Sequence, residues 1–256
     1  MMGSRLSLSA LAGVPAIDVG DDLAAVLGDR LEASGYVPAP GDVLVVTHKI
    51  VSKAEGRTVD LAQVEPSDSA SRLAIDTGKP AAFCEIVLRE SRQVLKKRKG
   101  LIIAEHRLGM VMANAGIDRS NVDGADDEQR VLLLPEDPDR SAGKLADAFA
   151  ARFGQPIAVV ICDSVGRAWR QGVVGLALGA AGLPALLDLR GRADLDGRPL
   201  DVTQVGLADQ IASAAELLMG EADEGQPAVL VQGLRFEGEA RPARDLLRPA
   251  AEDLFR

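Results

Sequence analysis

Apolar residues recur at helical spacing between Asp21 and Ser34, where Leu23, Val26, Leu27 and Leu31 share a face and Asp21 or Asp22 is placed to cap the amino end. Gly41-Asp42 then introduces Val43-Leu44-Val45-Val46-Thr47, a β-branched run that predicts a buried strand, with His48 to Lys53 continuing as an extended or bent loop. From Asp68 to Arg92 the spacing is again helical, and Gly78-Lys79-Pro80 predicts the end of one helix and the start of another. Leu101-Ile102-Ile103 and Met110-Val111-Met112 flank a turn around Arg107-Leu108-Gly109, the pattern of a hairpin. Val131 to Leu134 reads as a strand, Ser141 to Phe153 as a helix and Ile157 to Ile161 as another buried strand. Late in the chain, Leu207, Ile211, Ala214, Ala215 and Leu218 line a helix that Gly220 can end, before a strand at Val229-Leu230-Val231. Such alternation indicates an α/β or α+β protein. No repeat or low-complexity linker divides it, and residues 1–256 read as one unit with room for at most two intimately connected subdomains.

Composition narrows the function. The 38 Asp and Glu against 29 Lys and Arg give a net charge of -9, which argues against a protein that holds nucleic acid through phosphate contacts. The one basic run, Lys96-Lys97-Arg98-Lys99, reads as a solvated turn or helix end. Two cysteines, Cys84 and Cys162, and two histidines are too few for a disulfide scaffold or a structural zinc site; they suit a reducing cytoplasm and core positions. No stretch approaches the roughly 20 apolar residues of a membrane helix, and the amino terminus lacks the apolar core of a signal peptide. The acidic surplus leaves room for carboxylates gathered around bound cations.

Four segments carry candidate chemistry. In Ala113 to Asn121, Asp118 and Asn121 stand three apart in a turn and can face one ion or phosphate, or simply form an Asx-turn and helix cap. In Asp163-Ser164-Val165-Gly166-Arg167-Ala168-Trp169-Arg170, a carboxylate and a hydroxyl leave a strand, while Arg167 and Arg170 supply planar donors for phosphate or carboxylate. Trp169 between them reads as a buried anchor or a ligand platform, and the arginines as anion donors or partners of surface acids. The loop Met219-Gly220-Glu221-Ala222-Asp223-Glu224-Gly225-Gln226 is acidic and punctuated by glycine: Glu221 completes a cation site, or the acids serve solubility. Lys53 is suited to nucleotide phosphates, although neither a Walker nor a Rossmann glycine pattern is present. His106, between Glu105 and Arg107, reads as a surface residue rather than a base.

The strings Gly41 to Arg57, Ala113 to Asn121, Asp163-Ser164-x-Gly166-Arg167-x-Trp169-Arg170 and Ala208-Asp209-x-Ile211-Ala212-Ser213-Ala214-Ala215-Glu216-Leu217 together resemble the coenzyme F420:L-glutamate ligase family, in its order and across about residues 14 to 233. The resemblance implies an uncommon mixed α/β (α+β) fold with mixed or antiparallel sheets and flanking helices, assembled as a homodimer. It implies a GTP-dependent ligase that joins L-glutamate to the deazaflavin coenzyme precursor F420-0 through an acyl phosphate and adds further γ-linked glutamates, assisted by Mn2+ or Mg2+ and by K+. By similarity, Asp118, Asp163, Ser164 and Glu221 match the divalent-metal positions. Val14, Pro15, Ala16, Ile17, His48, Lys53, Asn121 and the loop Met219 to Gln226 match the nucleotide-binding positions. Three residues depart from or vary within the family pattern: His48 stands where a small hydroxyl residue is usual, Ala16 where an acid is frequent, and Glu221 where glutamine also occurs.

Overall fold

The computed structural model describes residues 5–119 and 129–254. Its first half contains β1 (Ser7–Ala10), α1 (Leu23–Ala33), β2 (Val43–Thr47), α2 (His48–Ala54), β3 (Thr58–Asp60), α3 (Asp68–Thr77), α4 (Ala81–Arg89), β4 (Ser91–Arg98), β5 (Leu101–His106) and β6 (Val111–Ala113). There follow β7 (Arg130–Leu132), α5 (Pro138–Phe153), β8 (Ala158–Gly166), β9 (Val173–Ala181), β10 (Leu186–Asp188), β11 (Gln204–Gly206), α6 (Leu207–Met219) and β12 (Ala228–Gln232).

Five strands form the central sheet in the order β1-β12-β2-β8-β9. Its middle strand shows why β2 is apolar at consecutive positions. Leu44 and Val46 pack into a cluster with α1, α2 and α5, including Leu27, Leu31, Val51, Leu145 and Phe149. Val43 and Val45 point the other way, into a cluster with Ala208, Ile211, Ala212 and Ala215 of α6. A strand covered on both faces has no solvent side and so no alternation. Each fully buried Val or Leu contributes roughly 1.5–3 kcal/mol by transfer from water.

A second assembly packs α3 and α4 against the antiparallel sheet β4-β5-β6 and the β3-β7 pair around Phe83, Ile86, Val87, Ile102 and Val131. The architecture is α+β, with one mixed sheet between helices and smaller antiparallel sheets beside it.

Several segments differ from the sequence reading. His48 to Lys53 is helical: Ile50, Val51, Ser52 and His48 all turn inward, and burial of that face outweighs the extended preference of Ile and Val. The helix expected to reach Arg92 stops at Arg89, and the basic run lies on β4 and the turn after it, with most of its residues in solvent. β8 continues past Ile161 through Gly166 because β9 pairs with its whole length. That partner strand, Val173-Val174-Gly175-Leu176-Ala177-Leu178-Gly179-Ala180-Ala181, to which the sequence reading assigns no element, contains two glycines, residues that ordinarily weaken a strand interior. They permit close packing instead: a Cβ on Gly179 would lie 2.2 Å from Pro138 O of α5, and one on Gly175 would lie 2.6 Å from Ala212 of α6.

On α6 the buried face is Ala208, Ile211, Ala212, Ala215 and Met219, which leaves Leu218 in solvent. Trp169 is no anchor: it is 88% exposed at the β8-β9 turn with φ +68°. His106 is fully buried, with its Nε2 3.4 Å from Glu90 Oε2 and its Nδ1 accepting from the Leu108 N–H. Cys84 and Cys162 are both buried free thiols.

Candidate functional site

Sheet direction decides which loops meet. β2 and β8 run parallel in the register Thr47 opposite Cys162, so both carboxyl ends open on one edge. β12 is antiparallel to β2, which brings the loop before it to that edge, where Thr47 N–H donates to Pro227 O. β1 is antiparallel to β12, and its exit toward Val14 lands there too. Crevices at the carboxyl ends of parallel strands are recurrent ligand sites.

Two adjoining cavities occupy this edge. The larger, about 530 Å³, is walled by Val14-Pro15-Ala16, by Lys49 and Lys53, by Asp163 and Ser164, and by much of the loop 219–227. The smaller, about 280 Å³, has Asp118, Asp163, Ser164, Glu221, Lys49 and Asn114 in its wall. Lys49, Asp163, Ser164 and Glu221 belong to both, so the two form one continuous cleft.

Four oxygen-bearing residues from three separate stretches of sequence therefore face one space. Ser164 Oγ donates to Glu221 Oε2 at 2.9 Å. Asp163 projects from β8 beside buried His48, whose Nε2 is 3.3 Å from Asp163 Oδ1. Asp118 sits where the chain, after three successive left-handed residues Asn114, Ala115 and Gly116, bridges to Leu132, and its Oδ2 lies 3.0 Å from Lys49 Nζ. Left-handed conformations at non-glycine residues cost of order 1–3 kcal/mol each, and such strain concentrates at functional sites.

The cleft is also electrostatically crowded. Burial raises the Glu216 carboxyl, the charges of Glu221 and Asp163 add to it, and together they push its pKa up to about 7. Cys162 is raised well above the usual thiol range by burial and by the neighbouring carboxylates Glu216, Asp163 and Glu221, which makes it a poor nucleophile. All-oxygen donors carrying excess negative charge fit a hard divalent cation. Among the described residues, however, no three carboxylate, imidazole or thiol groups already stand grouped closely enough to enclose an ion.

The other expected residues divide. Val14, Pro15, Ala16 and Lys53 line the larger cavity, as do Met219, Gly220, Ala222, Asp223, Gly225 and Gln226. Ile17 belongs to the hydrophobic core instead. Glu224 turns back to accept from the Ala222 N–H. His48 is completely buried and lines neither cavity. Asn121 lies outside the described residues. Arg167 donates to Gly172 O, and both it and Arg170 stand on the β8-β9 turn away from the two cavity walls.

Lys49 and Glu216 are site residues that the sequence reading did not single out. Lys49 and Lys53 are four apart, a helical signal concealed by the expected loop, and Glu216 is an acid set beside the buried face of α6. The motif residues Glu55, Gly56 and Arg57 brace the site rather than line it. Glu55 accepts from Ser141 Oγ and from Glu136 N, while Arg57 donates to Leu134 O and pairs with Glu90, fixing the end of α2.

Fold and site together define an α+β protein whose cleft, at the carboxyl edge of a mixed sheet, is lined by carboxylates and flanked by two lysines. A family model for F420-0:Gamma-glutamyl ligase matches residues 13–233. The chain is 47% identical over 242 residues to coenzyme F420:L-glutamate ligase of Methanopyrus kandleri, covering 93% of this chain and 92% of that protein. It is 42% identical over 256 residues to the enzyme of the same name from Methanothermobacter thermautotrophicus (98% and 99%), and 43% over 252 residues to that from Archaeoglobus fulgidus (98% and 97%). The chain belongs to the F420-0:gamma-glutamyl ligase family. Among the described residues no helix is long and apolar enough to cross a membrane.

Proposed function

We propose that this protein joins L-glutamate to the deazaflavin coenzyme precursor F420-0 with GTP as the energy source, working as a homodimer in the cytoplasm. The observation that carries the reading is the cleft in which Asp118, Asp163, Ser164 and Glu221 face one space beside Lys49 and Lys53. Its larger part, about 530 Å³, lies within the ordinary range for small-molecule and cofactor sites.

Amide formation from a carboxylate in water is uphill, so the carboxylate first needs a better leaving group. In this reading the terminal phosphoryl of GTP passes to the acceptor carboxylate, giving an acyl phosphate and GDP, and the glutamate amine then displaces phosphate. Lys53 pairs with nucleotide phosphates as a mobile cation, and Lys49 is placed to exchange Asp118 for a phosphate oxygen. The loop 219–227 and Val14-Pro15-Ala16 enclose the nucleotide and exclude water from the reacting groups. Asp118, Asp163, Ser164 and Glu221 would hold Mn2+ or Mg2+. Held there, with K+ beside it, such an ion would supply positive charge against the nucleotide phosphates. Catalysis of this kind rests on positioning and charge, which accords with a thiol at Cys162 held neutral. Arg167 and Arg170 are assigned to the anionic groups of the acceptor or of the incoming glutamate, reached from the exposed β8-β9 turn.

Incubation with GTP, MnCl2, L-glutamate and the deazaflavin precursor is expected to add the mass of one glutamyl residue, then of further ones. GTP turnover with glutamate but indifference to the deazaflavin would indicate a ligase for another acceptor. Tight GTP binding without any amide product would indicate a nucleotide-binding protein that lacks the chemistry.

A further inference from the structure

His48, the one residue of the Gly41 to Arg57 string noted as departing from the family pattern, has a place of its own. His48 is completely buried at the first position of α2, and its ring bridges two elements. Nδ1 lies 3.4 Å from Oγ of Ser52, one helical turn on and also fully buried. Nε2 lies 3.3 Å from Oδ1 of Asp163 on the neighbouring strand β8. Nε2 is buried and makes no aligned hydrogen bond among the described residues, so Asp163 is the group within reach to satisfy it. Asp163 in turn is mostly covered, at 16% exposure, with its remaining edge in the cleft.

We infer that His48 is a positioning residue: with Ser52 donating to Nδ1 and the ring hydrogen on Nε2, it holds one oxygen of Asp163 and turns the other toward the cleft. The tautomer follows from the partners, since the Asp163 carboxylate accepts and the Ser52 hydroxyl can donate. Imidazole–carboxylate pairs behind a ligand oxygen fix its direction, and losing such a partner typically costs about 10–100-fold in metal affinity. His48 reaches neither cavity, so its effect on a bound nucleotide is exerted through Asp163. The inference rests on the reading of Asp163 as a cation-binding residue.

Two substitutions separate positioning from space filling. His48→Gln keeps a donor of similar reach, and His48→Met fills a similar volume without one. The readouts are thermal unfolding and binding of Mn2+ to the full-length, nucleotide-free protein, followed by the loss of the free-ion paramagnetic resonance signal. The inference predicts Mn2+ binding weakened about 10-fold or more by His48→Met and within about 2-fold of wild type for His48→Gln. If neither substituted protein folds, Ser52→Ala tests the same relay and is expected to weaken Mn2+ binding several-fold. Wild-type affinity in a folded His48→Met protein, equal losses in both substitutions, or unchanged affinity in Ser52→Ala would overturn the inference and leave the cation reading standing. Failure of the wild type itself to bind Mn2+ would overturn both.

Discussion

Replacing Glu90 by Gln removes the centre of a buried charge network that fixes α2, and with it Lys49 and Lys53, against the rest of the molecule. One carboxylate oxygen of Glu90 meets Arg57 Nη2 at 2.9 Å, Arg107 Nε at 3.1 Å and His106 Nε2 at 3.4 Å, and the side chain is only 12% exposed. Burial alone would raise its pKa; the adjacent His106 imidazole and the two guanidinium groups outweigh that and hold it at about 2, against an ordinary 4.5. At roughly 1.4 kcal/mol per pH unit, that interval corresponds to about 3 kcal/mol of stability. The folded-state value is depressed, so this stability is fully present above about pH 4.5 and is lost as pH falls toward 2. Urea unfolding of wild type and Glu90→Gln at pH 7, 5, 4 and 3 isolates the contribution as the difference between the two proteins. The difference should be about 3 kcal/mol or more at pH 7, because Gln also leaves Arg57 and Arg107 without their shared anion, and it should shrink steadily below about pH 4.5. A difference that stays constant from pH 7 to pH 3 would refute the electrostatic account of this network.

Further outcomes are expected elsewhere. Asp163→Asn should fold normally yet lose about 100-fold or more in Mn2+-dependent GDP release, since a neutral amide is a poor ligand for a hard divalent cation; near-normal turnover at saturating Mn2+ would contradict this. Gly179→Ala forces a methyl to 2.2 Å from Pro138 O, and should cost about 1–3 kcal/mol in thermal or urea unfolding, or more because backbone must yield. Cys162→Ala should keep most of the wild-type turnover, measured as glutamylated product per minute, because its thiol is buried and held neutral.

Much of the framework was readable because burial leaves a periodic trace. β2 is apolar on both faces, α1 repeats Leu23, Leu27 and Leu31, and the break at Gly78 separates α3 from α4. What escaped was decided by tertiary packing. α2 has seven residues, no side-chain cap and two β-branched side chains, so its helical state depends on the cluster beneath it. β9 was concealed by Gly175 and Gly179, whose purpose is visible only once α5 and α6 lie across the strand. The same holds for the site. Asp118, Asp163 and Ser164 lie within the family strings and Glu221 is matched by the same resemblance, but their shared cavity follows from the directions of β1, β2, β8 and β12. The helical spacing of Lys49 to Lys53 is invisible in a segment expected to be extended, and the helix turns His48, expected at the nucleotide, inward behind Asp163.

Crystals grown with Mn2+ and a non-hydrolysable GTP analogue test the reading most directly, through the anomalous signal of manganese. The account predicts peaks between the nucleotide phosphates and the oxygens of Asp118, Asp163, Ser164 and Glu221, with Lys53 on the phosphates. Manganese bound elsewhere, or a nucleotide seated away from these four residues, would contradict it.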